Sequence, residues 1–121
     1  AQYSAAWLRE RLPANYRVLA SEARRSQQTA QALTDQFEIS AAINPGCDAT
    51  ALLLTCQWPD SNQTLLVVGH QPSLGQAAAR LLAGVEQDWS IKKSAVWWFS
   101  RRTRGGIQQV VLKAVLWPDE A

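Results

Sequence analysis

The chain is short of the residues that build metal centres and covalent cross-links. Its 121 residues include one histidine (His70), two cysteines (Cys47 and Cys56) and no methionine. One histidine and two separated cysteines do not make a zinc-binding set, so no metal and no other cofactor is expected. The cysteines are nine residues apart; a helix between them places them about 13 Å apart along its axis. A disulfide needs Cα atoms within about 7 Å, so two free, mostly buried thiols are expected. No apolar run reaches the roughly 20 residues of a spanning helix and no signal peptide is visible. The expectation is a cytoplasmic protein with no membrane partner. An open reading frame normally starts with methionine, so its absence leads to the expectation that an N-terminal segment has been lost.

What is present describes a folded domain. The chain is 47% hydrophobic and 18% charged, which fits a single globular domain over residues 1–121 rather than a disordered segment. A chain of this length can bury a core without disulfides. The formal charge is +2, with nine arginines against three lysines. The planar guanidinium fork suits bidentate binding of phosphate or carboxylate.

Periodicity divides the chain into alternating elements. "AQYSAAWLRERLP" spaces Tyr3, Ala6, Trp7, Leu8 and Leu12 as a helix ending near Pro13. A short buried strand is expected over 16–21, a helix over 22–37 with Ala30, Leu33 and Phe37 on one face, and a weak strand over 39–44. Asp48 is a good N-cap for a helix over 49–58, and "PDSNQ" reads as a surface turn. The apolar, β-branched run 64–69 is a buried strand. A helix over 72–84 follows, with Pro72 in its first turn and Gly84 at its end. Residues 95–101 and 107–117 form an antiparallel hairpin about Arg104-Gly105-Gly106, placed at a sheet edge. Alternating strands and helices make this an α/β fold, a three-layer α/β/α arrangement with a mainly parallel sheet.

Ligands of such sheets bind where strand ends turn into helices, and two of these turns could hold an anion. In "SEARRSQQT", Ser21 ends a strand, and Arg24 and Arg25 open the next helix, where cations oppose the helix dipole. An anion between the arginines and the helix N-terminus would account for that placement; a solvated surface with Glu22 pairing one arginine is the alternative. In "VVGHQPSLG", His70 leaves a strand end toward the next helix. It could donate to a bound phosphate, or be a structural histidine capped by a backbone carbonyl.

Together, "VLASEARRSQQTAQAL" and "LLVVGHQPSLGQAAARLLAG" resemble the histidine phosphatase superfamily, phosphoglycerate mutase-like, and within it the small SixA-type phosphohistidine phosphatases. Ser21, Arg25, Gln28 and Thr29 fit its Ser-x-x-x-Arg-x-x-Gln-Thr pattern, and Gly69, His70 and Pro72 fit its Gly-His-x-Pro. "NPGCDA" (44–49) sits where small members carry a Pro/Gly/Asp turn. The resemblance implies a hydrolase that removes phosphate from a phosphorylated protein, such as a histidine phosphotransfer domain, through a covalent phosphohistidine and without a metal. It implies that Arg25 and His70 are catalytic and that Arg25, His70 and Ser21 hold phosphate, positive groups balancing charge on the phosphoryl oxygens.

The departures are specific. No Arg-His-Gly is present, and the family nucleophile belongs to that motif, on a strand in the middle of the sheet. The domain is therefore expected to lack its first strand and nucleophile loop, and the chain alone is expected to be inactive. Glu22 stands where many relatives have proline. No proton donor declares itself; Asp48 and Glu22 are candidates by location. The rival readings are a non-catalytic phosphate-binding or interaction domain and a small-molecule phosphomonoesterase of the same superfamily. Trp97, Trp98 and Phe99 are expected to alternate between the faces of a strand. Lys92, Lys93, Arg101, Arg102 and Arg104 make the C-terminal third basic, which reads as a solvated edge and not as a nucleic-acid site.

Overall fold

A computed structural model describes residues 2–58, 63–93 and 95–116, Gln2 by its backbone only. Of the expected "PDSNQ" turn only Gln63 falls among them, and Trp117 lies outside. The elements are α1 (Gln2–Arg11), β1 (Tyr16–Ala20), α2 (Arg24–Leu33), β2 (Glu38–Ile39), a 3-10 turn (Ala41–Ile43), α3 (Ala49–Thr55), β3 (Thr64–Val68), α4 (Ser73–Ala83), β4 (Val96–Arg104) and β5 (Ile107–Leu116). The fold is α/β, as the alternation of patterns indicates.

Strand β1 is the axis of the molecule. It pairs in parallel with β2 on one side and β3 on the other, in the order β2-β1-β3. Its alternating side chains enter two separate cores. Val18 and Ala20 pack with Ala5 and Leu8 of α1 and with Ala30 and Leu33 of α2. Leu19 points to the opposite face and packs with Ile43, with Ala49 and Leu52 of α3, and with Ala77 of α4. Helices therefore cover both faces of the parallel sheet, giving the three layers.

Several boundaries differ from the expected ones. Helix α2 covers 24–33, not 22–37, because Thr34 is extended (φ −155°) and its hydroxyl accepts from the Gln36 N–H at 3.1 Å. A local side-chain bond of this kind competes with helical hydrogen bonding, and it leaves Phe37 outside the helix. The strand expected over 39–44 is two residues long, since the Ser40 hydroxyl accepts from the Ala42 N–H at 3.2 Å and turns the chain into the 3-10 segment. Helix α3 ends at Thr55, short of residue 58, and Gln57 adopts a left-handed φ of 58°. Asp48 is its N-cap. Both cysteines are free, but each is half-buried rather than mostly buried.

The C-terminal hairpin forms a sheet of its own: among the described residues, β4 pairs only with β5. Gly105 and Gly106 take the positive φ values (58° and 79°) that a tight two-residue hairpin turn requires. The register skips Lys113 between the pairs Trp98↔Ala114 and Phe99↔Leu112. Among the described residues, no helix is long and apolar enough to cross a membrane.

Candidate functional site

Connections leaving β1 and β3 depart to opposite faces, α2 joining one core and α4 the other. Ligand crevices of open parallel sheets form at such a divergence, outside the carboxyl ends of the strands. The two sequence motifs meet there. Ala20 and Val68 are register partners, and the Ser21 N–H continues the ladder to the Val68 carbonyl at 3.3 Å. His70 lies two residues beyond the end of β3.

The His70 ring turns toward β1 and α2. Its Nε2 is 2.6 Å from Ser21 Oγ and 3.2 Å from Ser26 Oγ. Ser21 Oγ and Ser26 Oγ are 2.8 Å apart, and the Ala23 N–H donates to Ser21 Oγ at 3.2 Å. Ser21 has no exposed surface and Ser26 is 3% exposed. The main chain of His70 is fixed as well: its carbonyl accepts from the Leu74 N–H at 3.0 Å and from the Ser73 hydroxyl at 2.9 Å.

A cavity of about 460 Å³ opens beside this cluster, between β3 and β4. Its floor is apolar, made by Ala5, Leu8, Leu33, Leu66, Val68 and Val96. Arg25, Ser26, Thr29, His70, Gln71, Lys92 and Lys93 also line it, and no carboxylate does among the described residues. Arg24 and Arg25 are the first residues of α2, and the N-cap Ala23 provides no side-chain cap. The helix end and the cations thus present positive potential at one place, which favours an anion.

The segment 85–93 crosses near the cavity and is tied to the start of α4 through Gln71. Gln71 Nε2 donates to the Trp89 carbonyl at 3.0 Å, and Gln71 Oε1 accepts from the Gly75 N–H at 2.8 Å. A Cβ at position 75 would overlap the Trp89 carbonyl. Glycine is required there by close approach.

The structure thus brings His70 and Ser21 together and sets Arg25 on the same cavity. Ser21 itself is enclosed and is not part of the cavity wall; it touches His70 rather than the space where a ligand would sit. The two carboxylates considered as proton donors are engaged elsewhere. Glu22 accepts from the Asn44 side-chain amide at 2.7 Å while its N–H donates to Asn44 Oδ1 at 2.8 Å. It forms no ion pair with Arg24 or Arg25 among the described residues. Asp48 accepts from the Ala51 N–H at 2.8 Å as the N-cap of α3. Neither lines the cavity.

Sequence reasoning missed Ser26, which lies one residue after Arg25 and carries no signature beyond being small and polar in a first helical turn. It also missed Gln71, whose role depends on where segment 85–93 folds back. Lys92 and Lys93 were visible only as part of a basic region.

Fold and site together define a three-layer α/β protein with a cation-lined crevice at a sheet switch point. No family model and no curated protein matches the sequence. Among solved structures, the chain is similar to a protein of Nakamurella multipartitia assigned as a phosphohistidine phosphatase SixA, with a TM-score of 0.59 and 28% identity over 67% of this chain. That match takes in 48% of the Nakamurella chain, so the chain spans about half its length. It is also similar to the protein histidine phosphatase SixA complexed with tungstate, with a TM-score of 0.70 and 22% identity over 95% of this chain and 76% of that one. The second likeness speaks to the fold. With the first, it supports the resemblance to SixA-type histidine phosphatases that the motifs indicate.

Proposed function

We propose that this domain binds the phosphoryl group of a phosphohistidine protein and works as the greater part of a SixA-like phosphatase. The convergence of His70, the two serines and Arg25 at one sheet switch point carries the reading. Arg25 would clamp the equatorial phosphoryl oxygens, and the His70 imidazole would donate to the transferring group as its charge develops. A nucleophilic imidazole would attack phosphorus as the bond to the substrate histidine breaks, and water would then release phosphate from the enzyme. The sequence holds one histidine, so that nucleophile would come from a segment outside residues 1–121. The apolar gap between β3 and β4 is a suitable seat for its strand. Basic groups at the cavity mouth favour a phosphorylated protein surface, such as that of a histidine phosphotransfer domain.

The single histidine also favours a second reading, in which the 121 residues bind oxyanions without turnover. Titration of the chain with tungstate and with inorganic phosphate tests what both readings share. His70→Ala and Arg25→Ala should each weaken binding by about tenfold or more, as expected for loss of a hydrogen bond to a charged group; unchanged affinity would sink the assignment. Phosphate release from a phosphohistidine peptide and from a phosphomonoester, using protein that includes the coding region upstream of Ala1, separates the readings. Turnover favouring the phosphohistidine peptide supports the phosphatase. No turnover, with binding retained, supports the binding domain.

A further inference from the structure

The cavity beside His70 has a polar end and an apolar end, and two elements grade between them in step. On α2 the lining residues include Arg25, Thr29 and Leu33, which are four apart and therefore share one helix face. Along β3 and just beyond it they include Leu66, Val68 and His70, the two strand residues sharing a sheet face. The polar ends coincide, because His70 Nε2 lies 3.2 Å from Ser26 Oγ in the first turn of α2. The apolar ends coincide as well: Leu66 packs against the core that holds Leu8 and Leu33.

Each element measures the length between the ends. From Arg25 to Leu33 a helix rises about 12 Å, and from Leu66 to His70 an extended chain spans about 13 Å. The volume of about 460 Å³ is that of a site enclosing a small organic ligand. Arg25 is the cation of the polar end; Lys92 and Lys93 also line the cavity, and no carboxylate does among the described residues. A bare oxyanion would use the polar end alone and leave Leu8, Leu33, Leu66 and Val96 facing water, where an apolar partner is favoured.

We infer that the cavity takes a single-chain amphiphilic phosphate, a monoalkyl phosphate ester free in solution. Its phosphate sits at Arg25 and its chain lies between β3 and β4 over Leu8, Leu33 and Leu66. The inference rests on the oxyanion reading of the site in its binding form, and supplies the class of ligand. An added strand and the alkyl chain exclude each other in the gap, so the inference belongs to the 121 residues by themselves. A span of about 12 Å takes a phosphate head and roughly eight carbons, at carbon–carbon bonds of about 1.5 Å in zigzag.

The test is calorimetric titration of the 121-residue chain with inorganic phosphate and with ethyl, butyl, hexyl, octyl and dodecyl phosphate, each below its aggregation threshold. Each added methylene should tighten binding by up to about fourfold, and the gain should stop near eight carbons. No gain from ethyl to octyl, with inorganic phosphate still bound, overturns the inference and leaves the oxyanion reading standing. A gain that continues undiminished to dodecyl overturns it too. Octanol binding as tightly as octyl phosphate removes both, as does failure of inorganic phosphate and every ester to bind. Vesicles of phosphatidic acid, whose chains stay in the bilayer, should displace octyl phosphate no better than inorganic phosphate does; stronger displacement assigns recognition to a lipid headgroup and overturns the inference. Variants separate the two ends. The ratio of octyl phosphate to inorganic phosphate affinity should fall about tenfold in Leu66→Asn and hold in Arg25→Ala, where both affinities drop together. Val96→Asn, on the facing strand, should lower the same ratio and serves where Leu66→Asn does not fold. A ratio that holds in both apolar-end variants overturns the seat.

Discussion

In the parallel half of the molecule, β1 presents Val18, Leu19 and Ala20 at 2%, 5% and 0% exposure, with helices packed on both faces. In the hairpin half, Ile107, Leu112 and Val115 of β5 are 66%, 38% and 48% exposed. One half is held by burial. The other is held mainly by its own antiparallel ladder, with Leu116 buried, Val96 packed against the first core, and two aromatic contacts: Trp98 meets Trp7 of α1 edge-on at 6.4 Å, and Trp97 meets Trp89 at 6.3 Å. Lys113, the residue skipped by the register, lies over the Trp98 ring at 4.4 Å. The candidate site sits on the seam. Its hydrogen-bonded parts, His70 and the serines, belong to the parallel half, while Lys92 and Lys93 come from the segment leading into the hairpin.

The largest effect should come from the deepest contact. Ile43 is 0% exposed in the core beneath Leu19, so Ile43→Ala should cost about 2–5 kcal/mol in urea unfolding. Leu112→Ala, on the exposed strand, should cost less than about 1 kcal/mol. Equal losses at the two positions would break the comparison.

Cys56 reports on the same core by reactivity. Burial pushes its thiol up to about 11, so thiolate is scarce near neutral pH. Its alkylation at pH 8 should run on the order of a hundredfold slower than that of free cysteine, followed by mass spectrometry of the digested protein. Ile43→Ala should speed it, and Leu112→Ala should not.

Gly75→Ala probes the tie between the halves. The new methyl group collides with the Trp89 carbonyl, and overpacking of this kind costs about 1–3 kcal/mol. The loss should be local. Hydrogen exchange should quicken in segment 85–93 and at Trp97, while β1 and β3 keep their protection. Uniform quickening would mean that the tie supports the whole fold.

The contrast also explains what could be read from the sequence. Apolar strands and capped helices left local marks: the runs at 16–20 and 64–68, Asp48 before α3, and Gly84 closing α4 at a φ of 78°, although β3 is half-buried along its length and not the buried strand its composition suggests. Arg25 and His70 were legible because each sits in a motif at a strand end. Ser26 was not, because its role comes from a ring that reaches it across 44 residues of sequence. Segment 85–93 was equally hidden, since the requirement for Gly75 arises from a carbonyl 14 positions later in the chain. Nor did any local pattern foretell that the hairpin would stand apart from the parallel sheet, because pairing of β3 with β4 is decided by what lies between them.

The smallest effect belongs to an exposed pair at the rim of the parallel half. Arg17 of β1 donates through Nε and Nη2 to both carboxylate oxygens of Glu38 in β2, each at 2.8 Å. The hydrogen bond from Arg17 holds the Glu38 carboxyl below its ordinary value, against a smaller opposing effect of burial. Because the folded-state value is depressed, the pair contributes stability above the unfolded carboxylate value of about 4.3 and loses it as pH falls through the folded value. The side chains are 37% and 52% exposed, so after screening the contribution should be about 0.5 kcal/mol or less. Glu38→Gln should lower stability by that amount at pH 7 and by nothing once Glu38 is protonated in both the folded and the unfolded chain, and the gap at pH 7 should narrow in 0.5 M salt (roughly twice the screening of physiological strength). The hairpin has a counterpart with an uncharged acceptor, the bond from Arg102 Nε to Gln109 Oε1 at 3.2 Å. Gln109→Ala should change stability without that acid-side dependence. If the two variants share one pH profile, the ion pair does not set the rim of the parallel half apart.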